Sequence, residues 1–169
     1  MARIYTTTGN YTKYAPGTMK YIEFGKREIE RCKNGLKIGK YRITGDNYFW
    51  LNYYRLLSLV GAEQNKGRHE SFPEFLVKQY EYFHYMEMCE KLGYDFCALK
   101  SRGVGASEIA CSIGANTYTC IPNSRCVYTA KNEVLLQPTL EKVWQELDFL
   151  NLETNGIMKH LRMKVNTAM

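Results

Sequence analysis

The sequence has no long apolar run. No stretch approaches the roughly 18 to 20 apolar residues that a helix needs to cross a bilayer. Residues 1–8 also have no apolar core of the length that a signal peptide requires. These absences argue against a membrane partner and against secretion, so we expect a soluble protein of the cytoplasm.

Metal-binding cysteine motifs are absent as well. None of the six cysteines belongs to a C-x-x-C pair, and histidine is scarce, with only His69, His84 and His160 available as further ligands. We therefore expect neither a zinc site nor a disulfide framework. We interpret the thiols as reduced and expect Cys97 and Cys111 to pack in the core as small apolar residues.

Positive charge is unevenly distributed along the chain. The 169 residues carry a formal net charge of +6, with thirteen Lys/Arg against six Asp/Glu in residues 1–70 and ten against eleven in residues 71–169. A cationic surface favours a polyanionic partner such as nucleic acid, whereas scattered lysines on a solvated face give the same composition. The length suits one domain with a substantial core.

Local patterns in the first part of the chain predict helix and short strands. We predict an extended or loosely ordered arm over 1–17, an amphipathic helix over 18–34 that Gly35 ends, and a pair of short strands or an extended segment within 36–45. A turn at 45–47 and a linker at 61–70 are predicted to follow. Residues 48–57 are rich in aromatic rings. Such a run forms either a stacking surface for bases or, more commonly, a hydrophobic patch docked on the main domain.

Strands and helices alternate in the second part. We predict a helix that opens at Ser71-Phe72-Pro73 and closes at Gly93, strands over 94–99 and 124–130, helices over 108–116 and 138–149, and a further strand near 157–165. This order predicts an α/β fold in which a parallel sheet is flanked by helices.

A glycine-containing loop joins the predicted strand 94–99 to the next helix. Its sequence is Lys100-Ser101-Arg102-Gly103-Val104-Gly105-Ala106-Ser107. Backbone N–H groups and the helix dipole favour a phosphate at such a helix start. Against the nucleotide-binding pattern G-x-x-x-x-G-K-[ST], Gly105 and Ser107 match, whereas Ala106 replaces the lysine. Lys100 or Arg102 can supply the missing charge; the alternative is an ordinary strand-to-helix turn.

Three stretches together resemble one family, the large terminase subunit of tailed bacteriophages, an ATP-driven motor that packs viral DNA into an empty head. The first is the loop itself, whose basic residue lies near its start. The other two are residues 72–83, similar to the adenine-side helix of that family, and residues 41–52, similar to a Gly-x-x-Tyr-aromatic-x-Leu-Asn stretch ahead of its ATPase core. The resemblance covers about residues 35–150.

The resemblance implies a binding site for ATP and Mg²⁺. Lys100 and Arg102 would contact phosphate, the backbone of Ser101, Gly103, Val104, Gly105 and Ala106 would surround it, and the hydroxyl of Ser107 would bind Mg²⁺. Gln79, with neighbouring Tyr80, would face adenine; from the helical pattern alone, Gln79 faces solvent instead. The fold implied is an incomplete P-loop NTPase sheet, with residues 1–70 as a basic, aromatic-rich extension and linker and 71–169 as the first part of an ATPase domain.

The resemblance also implies partners: double-stranded viral DNA, a portal protein, a small terminase subunit and a homo-oligomeric ring, all in the cytoplasm of an infected bacterial host. An apolar strand that ends in Asp-Glu is missing, and Glu146-Leu147-Asp148 lie on a predicted helix. We therefore expect an N-terminal piece of such a motor, without a nuclease site, that binds nucleotide but does not turn it over.

Two other functions are compatible with the sequence. The first is a non-catalytic module whose basic, aromatic first half binds nucleic acid or a protein while an α/β half acts as its scaffold. The second is a small-molecule kinase that uses the same loop; neither a substrate lid nor a second acidic motif supports it. Nucleotide binding that depends on Lys100, Arg102 and Ser107 distinguishes the motor from the module.

Overall fold

The computed structural model describes residues 2–58, 69–101 and 103–158. Six helices and four short strands follow one another in this part of the chain: α1 (Ala2–Thr8), α2 (Met19–Asn34), β1 (Leu36–Ile38), β2 (Tyr41–Ile43), α3 (Gly45–Asn52), β3 (Leu56–Ser58), β4 (His69–Ser71), α4 (Val77–Leu92), α5 (Ala106–Cys120) and α6 (Glu133–Glu153). Most of the predicted linker at 61–70 and of the predicted strand at 157–165 lies outside the described residues.

The predicted parallel α/β sheet is wrong. In the described part of the chain the strands form two antiparallel pairs, β1 with β2 and β3 with β4, and helices make up most of the structure. The prediction relied on two strands, 94–99 and 124–130. Neither segment adopts regular secondary structure. The described part of the protein is therefore mainly helical, with two small antiparallel strand pairs.

The segment 94–99 lies against a helix instead of beside another strand. The ring of Phe96 contacts Tyr82 and Tyr85 of α4 edge-on, with centroid separations of 4.8 and 5.5 Å. Leu99 is fully exposed. Because a strand is stable only when a neighbour completes its backbone hydrogen bonds, an apolar composition without such a neighbour leaves the segment irregular.

The segment 124–130 is held by α5 in the same way. The hydroxyl of Tyr128 donates to the backbone oxygen of Ala110 over 3.0 Å, and the thiol of Cys126 lies 3.7 Å from the backbone oxygen of Gly114. Val127 remains exposed. Tyr128 and Cys126 of this segment therefore contact α5 instead of a neighbouring strand. This explains why an apolar run of strand-like composition forms no strand here.

Several predicted elements are confirmed. The side chain of Thr18 caps α2 by accepting from the backbone N–H of Tyr21, and Gly35 ends the helix with a positive φ of 82°. The two short strands predicted within 36–45 are β1 and β2. Gly93 ends α4 in the left-handed conformation, which costs glycine little because it has no Cβ atom.

Two of the predictions near the N-terminal part of the chain are wrong. The arm over 1–17 contains the helix α1, because Tyr5 is anchored by its hydroxyl, which donates to Glu153 over 2.6 Å. The turn at 45–47 is instead the first turn of α3. Thr44 caps this helix by accepting from the backbone N–H of Asn47, and such a cap favours helix over an isolated turn.

Two predicted helix starts are also wrong. The helix expected from Ser71 begins only at Val77, because Ser71 pairs with Leu56 in the β3–β4 pair. The helix expected from 138 begins earlier, at Glu133, where Asn132 caps it, so Pro138 lies inside α6. An asparagine cap stabilises the earlier start and outweighs the preference of proline for a first turn.

Aromatic side chains form much of the core. The aromatic rings of the run 48–57 are buried, which confirms that they dock on the rest of the protein and excludes a stacking surface for bases. Its rings pack on one another and on α4, as Trp50 stacks on Tyr54 at 5.0 Å and contacts Phe83 at 6.4 Å. The expectation for the thiols is half right: Cys111 is buried, but Cys97 is exposed.

Helices α2, α3 and α5 contact one another closely around this core. A Cβ atom at Gly45 would collide with the backbone oxygens of Cys32 and Lys33, so α3 approaches the end of α2 as only glycine permits. Asn116 of α5 donates to the backbone oxygen of Cys32 over 2.9 Å and to Asp46 over 2.7 Å. One core thus includes residues from both sides of residue 70, and the domain boundary predicted there stays a prediction.

Candidate functional site

The candidate loop takes its shape from two glycines. Gly103 and Gly105 have positive φ angles of 84° and 75°, a conformation that L-residues with a side chain adopt at a cost. Gly105 precedes the first residue of α5, and its backbone oxygen accepts the N–H of Ile109 over 2.9 Å. Because these glycines turn the chain into α5, the first N–H groups of this helix lie at the loop.

A cavity of about 410 Å³ lies between the loop and α4. Its walls combine backbone of the loop with apolar side chains and two polar ones: Trp50, Leu56, Leu76, Val77, Lys78, Gln79, Gly103, Val104 and Gly105. Ligand pockets for small molecules measure roughly 300 to 1,000 Å³ and have mostly apolar walls with a few polar groups. The size and lining suit a small ligand.

A smaller cavity of about 100 Å³ lies beside it, with Lys78, Gln79 and Val104 in both linings. Its further walls come from Tyr82, Ala98, Leu99, Lys100, Ala106 and Ile109. The charged residues in the two linings, Lys78 and Lys100, are both basic, and no carboxylate is among the described residues that line either cavity. The electrostatic character of this region therefore favours an anion.

Gln79 connects α4 to both the core and the loop. Its Oε1 accepts the indole N–H of Trp50 over 3.1 Å. Its Nε2 lies on the loop side, close to Gly105. A Cβ atom added to Gly105 would be 3.7 Å from this nitrogen. Because an indole N–H can only donate, this contact fixes which end of the amide is the oxygen.

The predicted site residues are only partly brought together. Six of them line the cavities: Lys100, Gly103, Val104, Gly105, Ala106 and Gln79. Ser101 and Ser107 are exposed and line neither of them, although Ser107 lies in the first turn of α5. Arg102 lies outside the described residues. Tyr80 contacts Phe75 and His84 rather than the loop.

Lys78 and Trp50 are among the cavity residues that were missed from the sequence. Lys78 lies next to Gln79 on α4 and is exposed, so the pattern of the helix indicated only a solvated charge. Trp50 is buried, and its indole N–H needed an acceptor somewhere in the fold. That requirement was the available signal, but the sequence does not identify Gln79 as the acceptor because it is 29 residues away.

Charge at the start of α5 is already partly balanced. Glu108 accepts the hydroxyl of Tyr54 over 2.7 Å and forms an ion pair with Lys142 of α6. Burial, followed by the nearby Glu108, raises the pKa of Tyr54, so this phenol stays protonated. Lys142 is thereby directed to Glu108, and Lys78 and Lys100 are the cations among the described residues that line the cavities.

The two acids Glu146 and Asp148 lie on α6, as predicted. Glu146 is buried, and its Oε2 accepts the backbone N–H of Arg55 over 2.8 Å. Burial raises the pKa of Glu146 well above its usual range. Among the residues that the structure describes, no group of three or more His, Cys, Asp or Glu side chains could hold a metal ion.

Comparisons with known proteins identify no relative. No protein family matches the chain, and neither a characterised protein nor a solved structure does. Within the described ranges, no helix is long and apolar enough to cross a membrane. The site therefore has to be interpreted from its own geometry and chemistry.

Proposed function

We propose that the chain binds a nucleoside triphosphate, ATP with Mg²⁺, at the loop of residues 100–107. The observation that carries this proposal is the pair of cavities between the loop and α4, whose charged lining residues are Lys78 and Lys100. A triphosphate carries several negative charges, and walls that offer cations and N–H donors without carboxylates match it. The apolar part of the larger cavity, at Leu56, Leu76 and Val77, suits a base.

The proposed site needs no parallel sheet. The positive φ angles of Gly103 and Gly105 shape the loop, and Gln79 and Trp50 of the neighbouring helices support it. Its frame is helical, unlike the P-loop frame that the resemblance implied. What supports an ATP-driven packaging motor beyond nucleotide binding is the resemblance of residues 41–52, 72–83 and 100–107 to the large terminase subunit.

The Mg²⁺ ion would be held mainly by the triphosphate. The chain offers the hydroxyl of Ser107 in the first turn of α5 as a ligand, and Mg²⁺ commonly keeps several waters and binds substrate phosphates with few protein ligands. The described residues place no carboxylate on the cavity walls to orient an attacking water. We therefore propose binding without turnover for the 169-residue chain alone.

Titration with a fluorescent ATP analogue and Mg²⁺ tests the proposal. Lys100→Ala should weaken binding by about 5-fold to 10-fold, since a charge-assisted contact contributes roughly 1.5–3 kcal/mol and Lys100 is partly screened by solvent. Arg102→Ala, measured in parallel, shows which of the two cations contributes more. Lys131→Ala removes an exposed lysine outside the cavities and should change nothing. Absence of binding by the unmodified chain would refute the proposal.

A second candidate function is binding of nucleic acid by the basic first part of the chain. The observation that favours it is a group of exposed lysines on α2 and on the β1–β2 pair: Lys20, Lys26, Lys33, Lys37 and Lys40. None of these five has an ion-pair partner among the described residues. They are available to phosphates of a nucleic-acid backbone. The two functions are compatible in one protein.

A further inference from the structure

The amide of Gln79 is oriented by its contact with Trp50. The indole N–H donates to Oε1 over 3.1 Å, and Trp50 is itself buried between Tyr54 and Phe83. Rotation of the amide by 180° would bring its NH₂ group against the indole N–H, two donors facing each other. The orientation with Nε2 toward the loop is therefore the stable one.

This orientation presents the NH₂ group of Gln79 to the loop. Two-point recognition of adenine by glutamine requires both the amide oxygen and the amide nitrogen to face the base, because adenine presents an acceptor next to a donor. Here Oε1 is bound to Trp50, while Nε2 lies near Gly105 at the start of α5. An NH₂ group in that place matches an acceptor such as a phosphate oxygen better than it matches the edge of adenine.

Lys78 adds a cation to the same wall. It precedes Gln79 on α4, lines both cavities, and has no ion-pair partner among the described residues, whereas Lys100 lines only the smaller cavity. Lys78 is thus placed where the two cavities meet beside Val104. The nucleotide-binding pattern expects a cation at Ala106, which also lines the smaller cavity.

We infer that Lys78 and Gln79 form a donor wall that binds the phosphates of the ligand and that Gln79 does not read the base. This inference rests on the proposed nucleotide site and deepens it. It assigns the charge missing at Ala106 to α4, opposite the loop, and predicts that inorganic tripolyphosphate binds to the same wall. Adenosine, which has no phosphate, gains nothing from either residue.

Competition against the fluorescent ATP analogue, with tripolyphosphate and adenosine as competitors, tests the inference. Gln79→Glu keeps an acceptor for Trp50 but replaces the NH₂ group by a charged oxygen. Gln79→Glu should weaken the binding of tripolyphosphate by about 10-fold or more, and Lys78→Ala should weaken it by about 5-fold. The affinity for adenosine should be unchanged in both variants. Gln137→Glu on α6 and Lys131→Ala are the matched controls, and far-UV circular dichroism confirms that each variant is folded.

The outcomes separate the two proposals. Unchanged tripolyphosphate competition in both Gln79→Glu and Lys78→Ala, or a selective loss of adenosine in Gln79→Glu, overturns the donor wall while leaving nucleotide binding intact. If the analogue does not bind the unmodified chain, the proposed function fails. Calorimetric titration of that chain with tripolyphosphate then decides the inference: binding that Lys78→Ala weakens supports the wall, and absence of binding overturns it.

Discussion

Asp46 shows how burial changes the ionisation of a single residue. Burial raises the pKa of its carboxyl group to about 6, although the hydrogen bond from Asn116 acts in the opposite direction, and the negative charges of Glu90 and Glu87 raise it further. The folded protein therefore holds this proton more tightly than the unfolded chain does. The carboxylate form contributes an unfavourable free energy to the fold at neutral pH.

Asp46→Asn should remove this pH dependence. In the unmodified chain, stability from this group is full below the ordinary pKa near 3.8 and is lost as the pH rises to about 6. The asparagine keeps an acceptor for Asn116, so we expect little difference near pH 4 and a variant more stable by on the order of 2–3 kcal/mol at pH 7.5. Urea unfolding at the two pH values measures this, and an equal difference at both would contradict it.

Among the elements, α4 carries both packing and the proposed site. Phe83 is fully buried against Trp50, while Lys78 and Gln79 lie nearer the start of the same helix. The C-terminal half is also tied to β2, because Arg42 pairs with Glu87. Arg42, together with Lys91 of the same helix, holds the pKa of the Glu87 carboxyl group down at about 2. The position of the donor wall therefore depends on the packing of this helix.

Phe83→Ala and Tyr85→Ala compare the two faces of α4. Phe83→Ala leaves a cavity in the core and should lower the free energy of unfolding by about 3–5 kcal/mol. Tyr85 is 52% exposed and contacts mainly Phe96, so Tyr85→Ala should cost less than about 1 kcal/mol. Chemical denaturation of both variants measures the difference. Equal losses would contradict the burial of Phe83 and the exposure of Tyr85.

The existence of α2, α4, α5 and α6 could be predicted from the sequence, whereas α1 and α3 were missed and several helix starts were misplaced. The 18–34 helix carried its own signals, Thr18 before it and Gly35 after it. The start of α4 was misplaced because Ser71 resembles a helix cap, and only its pairing with Leu56 shows that it belongs to a strand. Trp50 and Lys78 were missed for a related reason, since their roles depend on contacts between distant parts of the chain.

For the whole molecule, the uneven charge offers a candidate interaction surface that shares no residue with the cavity linings. The exposed lysines of α2 and the β1–β2 pair belong to the basic first part of the chain, and the cavities lie between α4 and the start of α5. A polyanion bound to those lysines would be held mainly by charge, because the aromatic rings of residues 48–54 are buried and, of the rings close to these lysines in β1 and β2, Tyr41 is exposed. Such binding depends strongly on salt concentration.

Binding to duplex DNA should therefore weaken as salt increases. Lys37→Ala and Lys40→Ala should each lower affinity without regard to sequence and reduce the salt slope by about one unit. Lys131→Ala, an exposed lysine in the second part of the chain, should not change the slope. Fluorescence anisotropy at several salt concentrations measures the slopes. An unchanged slope for the first two variants argues against this surface.

The fold class could not be predicted because it depends on partners of strands. Alternation of apolar segments and helices indicated a parallel sheet, yet the two central segments have their side chains anchored on helices, Phe96 on α4 and Tyr128 on α5. A single sequence shows that a segment is apolar, but it does not show whether a strand or a helix packs against that segment. The loop between them was predictable locally because its glycines act through their own φ angles.

Contact between Tyr5 and Glu153 has a consequence during synthesis. The two residues are 148 positions apart, and the ring of Tyr5 also contacts Phe149 at 5.8 Å. At a translation rate of about 5 to 20 residues per second, a ribosome needs roughly 7 to 30 seconds to make the chain between them. Helix α1 therefore cannot complete this packing until the ribosome has made residue 153.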